Sequence, residues 1–144
     1  MSKKKRVLFL CTHNSCRSQM AEGLMNHFLG DRVEAFSAGT EATRVNPLAA
    51  KVMAEIGIDL SGHRSKILDE FAEQPFDYVI TLCGDARERC PLFFGGVKRQ
   101  HIGFEDPSRL SGSEGEVLPE YRRVRDEIKK TLCDFFEKGL AKSE

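Results

Sequence analysis

An apolar run at positions 7–10 constrains the fold of this chain most, because a helical pattern follows it after only a short loop. The segment from Arg6 to Leu10 is β-type and apolar enough to form a central strand that is covered on both faces. Between Arg17 and Leu29 the apolar residues recur at helical spacing, and Gly30 follows as a stop signal. The chain therefore begins with a strand, a loop and a helix.

The same alternation continues along the chain. Strands are predicted over 33–37 and 76–82, with a weaker, edge-like strand over 98–102. Helical segments are predicted from Asn46-Pro47 to Gly57, over 67–71, and from near Pro119 to Gly139, and a long loop is predicted over 105–119. Because right-handed crossovers leave few other arrangements, this order predicts an α/β fold whose parallel sheet carries helices on both faces.

Composition limits the classes of protein to which the chain can belong. Its 144 residues, 40% hydrophobic and 31% charged, suit one domain over 1–144. The formal net charge is zero, so no global charge draws the protein to nucleic acid or to an anionic membrane, and an anion site must be local. Five cysteines without an export signal indicate a reducing cytoplasm. We expect a cytoplasmic monomer.

The loop from Cys11 to Ser18 has residues suited to attack on a tetrahedral oxyanion. Backbone N–H groups after the strand and at the start of the helix favour an anion, and the same field should lower the pKa of Cys11. Arg17 can bind two oxygens of the anion, the Ser18 hydroxyl can donate to the thiolate sulfur, and Asn14 tolerates a positive φ. The predicted substrate-binding residues are Thr12, His13, Asn14, Ser15, Cys16 and Arg17. A buried structural cysteine in a strand-to-helix turn is the alternative.

The loop lacks the glycines and the Gly-Lys-Ser/Thr ending of a nucleotide-binding loop. The stretch CTHNSCRSQMAEG at 11–23 instead resembles the low-molecular-weight protein tyrosine phosphatase superfamily, and within it the thioredoxin-coupled arsenate reductases. The resemblance extends to FSAG at 36–39, Asn46-Pro47, ITLC at 80–83 with Cys90-Pro91, GFEDP at 103–107 and RVRDEI at 123–128. It implies a three-layer fold with a central four-stranded parallel sheet flanked by helices.

Two further thiols distinguish a reductase from a phosphatase, because reduction of arsenate takes two electrons that a dithiol can supply. The resemblance implies that Cys11 attacks arsenate and that Cys83 then attacks Cys11 and releases arsenite. It further implies that Cys90 attacks Cys83, and that thioredoxin reduces the Cys83–Cys90 disulfide. No cofactor and no metal are expected.

The resemblance also implies a general acid at Asp106, before Pro107, which would protonate the departing oxygen. A solvated loop aspartate is the alternative, and Glu105 is a weaker candidate for the acid. The phosphatases usually carry aromatic residues after this Asp-Pro, whereas Ser108-Arg109 follow here. This difference favours a small inorganic substrate.

The chain departs from the resembling proteins at two positions. His13 stands where glycine is frequent, and its imidazole lies either near the anion or in solvent. Some arsenate reductases hold potassium with residues that match Asn14, Glu22 and Ser37, but Lys66 stands where the fourth ligand, an aspartate, is expected. We hypothesise that the Lys66 ammonium replaces the cation beside Glu22 and Asn14.

Two other functions stay open. The first is a phosphatase whose extra cysteines only protect the nucleophile from oxidation. The second is a non-enzymatic thiol sensor or anion-binding module. The two remaining cysteines are assigned no catalytic role: Cys16 is expected to be structural, and Cys133 falls off the apolar stripe of the last helix.

Overall fold

The computed structural model describes residues 4–71, 74–82 and 98–143. The described residues form four strands: β1 (Lys5–Cys11), β2 (Val33–Gly39), β3 (Tyr78–Thr81) and β4 (Lys98–His101). The described α-helices are α1 (Arg17–Phe28), α2 (Pro47–Ala54) and α3 (Glu114–Ser143), and short 3-10 helices cover Leu68–Phe71 and Pro107–Arg109.

The strands form one parallel sheet in the order β2-β1-β3-β4, which confirms the predicted fold class. The central strand β1 is covered on both faces, and the side chains at 7–10 are fully buried. Because all strands run in one direction, their carboxyl ends meet at one edge of the sheet, where Cys11 lies beside Gly39.

Alternate residues of β1 point into separate apolar clusters. Val7 and Phe9 pack with residues of α1, α2 and α3 on one face. Leu8 and Leu10 pack on the other face, which in the described ranges is covered by the 3-10 helix Leu68–Phe71 and by Phe76. Helix α1 therefore packs on the face of the sheet to which Val7 and Phe9 point.

Helix α2 begins as its sequence predicts. The Asn46 carboxamide oxygen accepts hydrogen bonds from the backbone N–H groups of Leu48 (2.8 Å) and Ala49 (3.2 Å), and Pro47 occupies the first helical position. Such a cap satisfies donors that the first turn leaves unpaired, and proline loses nothing there because its position needs no N–H.

The predicted start of the last helix near Pro119 is wrong, because α3 begins at Glu114. Half of a capping box overrides the proline signal: the Glu116 carboxylate accepts from the Ser113 backbone N–H at 3.4 Å and from the Ser113 hydroxyl at 2.9 Å. Pro119 lies inside the helix on an exposed position, where the lost backbone hydrogen bond costs least. The predicted loop over 105–119 is correspondingly shorter.

None of the helices in the described part of the chain is long and apolar enough to cross a membrane.

Candidate active site

The loop between β1 and α1 lies at the carboxyl edge of the sheet and is packed tightly against the end of β2. Asn14 has the predicted positive φ, 49°. A Cβ atom added at Gly39 would lie 2.6 Å from the Thr12 carbonyl oxygen and 2.7 Å from the Asn14 nitrogen. Only glycine fits a backbone approach this close. The turn of the loop is therefore held by the neighbouring strand.

The Asn14 side chain braces the loop from inside. Its Nδ2 donates to Ser18 Oγ at 2.8 Å. Its Oδ1 accepts from Gln19 Nε2 at 3.0 Å and from the backbone N–H of Lys66 at 2.7 Å. Asn14, Ser18 and Gln19 are fully buried, so these bonds form without competition from water.

Arg17 is buried and held in one position by the segment after β4. Its Nη1 donates to the Phe104 carbonyl at 3.1 Å, and its Nη2 donates to Asp106 Oδ2 at 3.3 Å. Its Nε is buried and has no hydrogen-bond partner in the described part of the structure. Buried donors are nearly always paired, so this guanidinium is suited to an acceptor that the protein itself does not provide.

Asp106 is held in place on the opposite side of the same pocket. It caps the short 3-10 helix, and its Oδ1 accepts from Ser108 N–H at 3.0 Å and from Ser108 Oγ at 2.6 Å. Only 17% of its side chain is exposed, which disfavours a solvated loop aspartate. The Glu105 side chain, in contrast, is 64% exposed and pairs with Arg123.

These groups converge on one cleft of about 420 Å³. A smaller adjoining pocket of about 20 Å³ brings Cys11 together with Arg17 and Asp106. Across the two spaces the described lining residues are Cys11, Thr12, His13, Ser15, Cys16, Arg17, Glu41, Asp106, Ser108 and Arg109. A thiol, a fixed guanidinium and a fixed carboxyl in one pocket are the groups that nucleophilic attack on an oxyanion requires.

Comparison with known proteins agrees with this geometry. The model of the family described as "Low molecular weight phosphotyrosine protein phosphatase" matches residues 6–144. The chain belongs to this phosphatase family. An arsenate reductase of Bacillus subtilis (strain 168) is 50% identical over 135 residues, which cover 94% of this chain and 97% of the relative.

Two solved structures extend the comparison. A structure described as an arsenate reductase in the phosphate binding state has a TM-score of 0.78 and 35% sequence identity. The match covers 93% of this chain and 98% of the chain in that structure. A thioredoxin-dependent arsenate reductase of Corynebacterium glutamicum has a TM-score of 0.64 and 32% identity, with 90% of this chain and 62% of that chain covered.

In this member of the phosphatase family, Cys16 and His13 have different surroundings. Burial, and secondly the charge of Asp106, raise the pKa of Cys16 to about 12, so its thiol stays protonated at neutral pH. The His13 side chain is 53% exposed and lies 3.2 Å from the Glu41 carboxylate, at the rim of the cleft. Both alternatives for His13 are thus partly realised, because the imidazole lines the cleft and also faces solvent.

A polar cluster supports the loop from below. Glu22 Oε1 accepts from Ser37 Oγ at 2.7 Å, and Glu22 Oε2 lies 3.2 Å from His63 Nδ1. His63 Nδ1 also lies 3.0 Å from Gln19 Oε1, which links the cluster to the brace around Asn14. No sequence signal marks His63, since it lies in an irregular segment and only its contacts reveal its place.

The Lys66 ammonium lies beside Glu22 as hypothesised, at 3.6 Å from Oε1, and it donates to the Arg64 carbonyl at 3.1 Å. Lys66 also contacts Asn14 through its backbone, because its N–H donates to the Asn14 carboxamide oxygen at 2.7 Å. The residues here do not fit a potassium ion, since a lysine side chain provides the positive charge. Among the residues with described positions, no cluster of metal-ligating side chains is found.

Two predicted site residues, Cys83 and Cys90, lie outside the described residues. The residue before them, Leu82, is fully buried at the carboxyl end of β3, and its N–H donates to the Leu10 carbonyl at 2.8 Å. The chain therefore leaves β3 next to the strand that ends in Cys11.

Proposed function

We propose that this protein is a thioredoxin-dependent arsenate reductase in which Cys11 is the nucleophile. The observation that carries the proposal is the convergence of Cys11, Arg17 and Asp106 on one pocket. The names of the relatives support arsenate as substrate and thioredoxin as reductant. We further propose one domain over 1–144, working as a monomer in a reducing cytoplasm, where thiols stay available.

Arsenate binds in the loop through residues 12–17, with its oxygens toward the backbone N–H groups and Arg17. Because the Arg17 guanidinium is already fixed by Phe104 and Asp106, its side chain loses little conformational entropy when arsenate binds. The bound oxyanion supplies the acceptor that the buried Nε lacks. The Ser18 hydroxyl, which accepts from Asn14, keeps its own proton to donate to the Cys11 sulfur.

In the first chemical step the Cys11 sulfur attacks arsenic and an As–O bond breaks. Asp106 protonates the departing oxygen, which leaves as water, and a covalent thiol–arsenate adduct remains. In the second step the Cys83 thiolate attacks the Cys11 sulfur, and the electron pair of the S–As bond passes to arsenic. Arsenite leaves, and a Cys11–Cys83 disulfide forms because the two thiols have lost two electrons to arsenic.

In the last steps Cys90 attacks Cys83 and frees the Cys11 thiolate. Thioredoxin then reduces the Cys83–Cys90 disulfide by thiol–disulfide exchange. The relay requires no cofactor, because cysteine supplies both electrons for each arsenate.

A cysteine-to-serine series assayed with arsenate, thioredoxin, thioredoxin reductase and NADPH tests the proposal. Cys11→Ser should be inactive, and Cys83→Ser should keep only weak phosphatase chemistry. Cys90→Ser should stop after one turnover with a Cys11–Cys83 disulfide, which peptide mass mapping detects. Cys133→Ser is the matched control and should turn over like the wild type. Full multiple turnover by Cys90→Ser would overturn the relay.

A phosphatase is the second candidate, favoured by the family and by the acid at Asp106. The described residues that line the cleft include no phenyl, phenol or indole ring to flank a phosphotyrosine. Turnover of phosphotyrosine much faster than turnover of arsenate would favour the phosphatase. A non-enzymatic sensor would need no acid, so an unimpaired response in Asp106→Asn would point to that third possibility.

A further inference from the structure

Asp106 is bound asymmetrically by its neighbours. Both hydrogen-bond donors of Ser108 bind the same carboxylate oxygen: the backbone N–H lies 3.0 Å and the hydroxyl oxygen 2.6 Å from Oδ1. The other oxygen, Oδ2, lies 3.3 Å from Arg17 Nη2 and 3.7 Å from Arg109 Nε. One oxygen is therefore bound within its own turn, and the other is directed to the guanidinium of the pocket.

This asymmetry decides where a proton can reside. A protonated carboxyl group carries one O–H, and a proton on Oδ1 would face two donors and displace at least one of their hydrogen bonds. A proton on Oδ2 leaves both Ser108 bonds intact, because Oδ1 can still accept as a carbonyl oxygen, and the second lone pair of Oδ2 can still accept the single, longer bond from Arg17 Nη2 at 3.3 Å. Oδ2 is also the oxygen beside Arg17, where the oxyanion binds.

We propose that Ser108 is a positioning residue that keeps the transferable proton of Asp106 on Oδ2, facing the leaving oxygen. The inference deepens the proposed function and rests on its assignment of Asp106 as the acid. The backbone N–H of Ser108 would remain with any side chain except proline, so the specific contribution comes from the hydroxyl.

Loss of the hydroxyl removes the shorter of the two restraints on Oδ1. The last torsion of an aspartate side chain has a broad, roughly twofold preference, so a weakly held carboxyl group can exchange its oxygens. Protonation would then be shared between an oxygen facing the pocket and one facing away. The transfer step should slow only where the leaving group needs a proton.

Two phosphate esters separate this effect from general damage to the site. The departing oxygen of phenyl phosphate is basic and needs the acid, whereas that of 4-nitrophenyl phosphate leaves with little help. The quantity to measure is the ratio of kcat/KM for phenyl phosphate to kcat/KM for 4-nitrophenyl phosphate, because kcat/KM reports the departure of the leaving group and not the later hydrolysis of the phosphocysteine that both esters share. In Ser108→Ala this ratio should fall about tenfold, the size expected from one hydrogen bond to a charged group. Ser108→Thr, which keeps a hydroxyl, should restore the ratio to within about threefold of the wild type.

Asp106→Asn gives the reference for complete loss of the acid, and its ratio should fall by roughly 100-fold or more. Ser111→Ala, an exposed serine in the same loop, is the matched control and should leave the ratio unchanged. An unchanged ratio in Ser108→Ala, or an equal loss on both esters, would overturn the inference.

Thioredoxin-coupled arsenate reduction by the wild-type protein is measured in parallel. Its absence would overturn the reductase proposal alone, because the ester test needs only Cys11, Arg17 and the acid.

Discussion

Replacement of Lys66 by methionine tests whether its ammonium is the resident cation beneath the anion loop. The side chains of Lys66 and Glu22 are only 12% and 13% exposed, so neither charge is well solvated. Methionine keeps the length and apolar character of the lysine stem and removes the charge together with the hydrogen bond to the Arg64 carbonyl. Glu22 then retains the Ser37 hydroxyl at 2.7 Å and His63 at 3.2 Å as polar partners.

The expected loss follows from these contacts. A buried charge left without any partner destabilises a protein by about 3–5 kcal/mol. Because Glu22 keeps a hydroxyl donor and an imidazole, we expect the free energy of unfolding to fall by about 2 kcal/mol. For a chain of this size the Tm should fall by roughly 4–8 °C.

Chemical and thermal unfolding followed by circular dichroism measure this loss. Lys51→Met is the matched control, since Lys51 pairs with Glu114 at 2.5 Å but both side chains are about half exposed. Surface pairs of this kind contribute roughly 0–1 kcal/mol. A loss in Lys66→Met no larger than that in the control would refute the reasoning.

Potassium provides a second arm of the same test. The wild type should unfold at the same temperature in potassium and sodium chloride, because the ammonium already neutralises Glu22. Lys66→Asp places a second carboxylate there, and this variant should gain stability from potassium over sodium, since a cation that binds only the folded state stabilises it. A clear preference of the wild type for potassium would contradict a resident ammonium.

Three further predictions concern stability and thiol reactivity. Arg125→Met should lower the free energy of unfolding by about 2 kcal/mol in urea titrations, because the buried guanidinium donates to the Val52 carbonyl at 2.8 Å and the variant leaves that carbonyl unpaired; a loss near zero would contradict it. Hydrogen bonding from Arg122 lowers the pKa of Glu55, so its stabilising effect is present above the carboxyl's ordinary pKa and is lost as pH falls through the folded-state pKa. The stability difference between wild type and Glu55→Gln should therefore close on acidification below about pH 4, and a difference that grows there would refute the assignment. Cys16, with a pKa of about 12, should resist iodoacetamide at pH 8 until the protein is unfolded, as peptide mass spectrometry would show, and rapid labelling of the native protein would argue against its burial.

The parts of the fold that sequence patterns predicted are those with a strong local signal. The run at 7–10 is the fully buried centre of β1, and Asn46-Pro47 starts α2. The start of α3 was predicted wrongly because two local signals compete. The proline at 119 marks a helix start, but the bonds between Ser113 and the Glu116 carboxylate begin the helix five residues earlier.

The candidate site divides in the same way. Motif residues predicted the loop and the left-handed Asn14, since both follow from short segments. The hydrogen bond from Arg17 to the Phe104 carbonyl joins residues 87 positions apart, and no sequence pattern predicts this contact. The two hydrogen bonds from Ser108 to Asp106 were missed as well. Their geometry depends on a 3-10 turn that the sequence pattern did not distinguish from a loop.

The hydrogen bonds that hold Arg17 have a consequence for the order in which the site is completed during synthesis of the chain. The nucleophile and the whole anion loop lie at residues 11–18, so a ribosome completes them well before it reaches Phe104. The carbonyl and carboxylate that immobilise the guanidinium belong to Phe104 and Asp106, which follow Arg17 by 87 and 89 positions along the chain. A nascent or truncated chain that ended before Phe104 would thus present the thiol without a rigid anion clamp. Chemistry at Cys11 therefore requires a chain that has folded as far as Asp106.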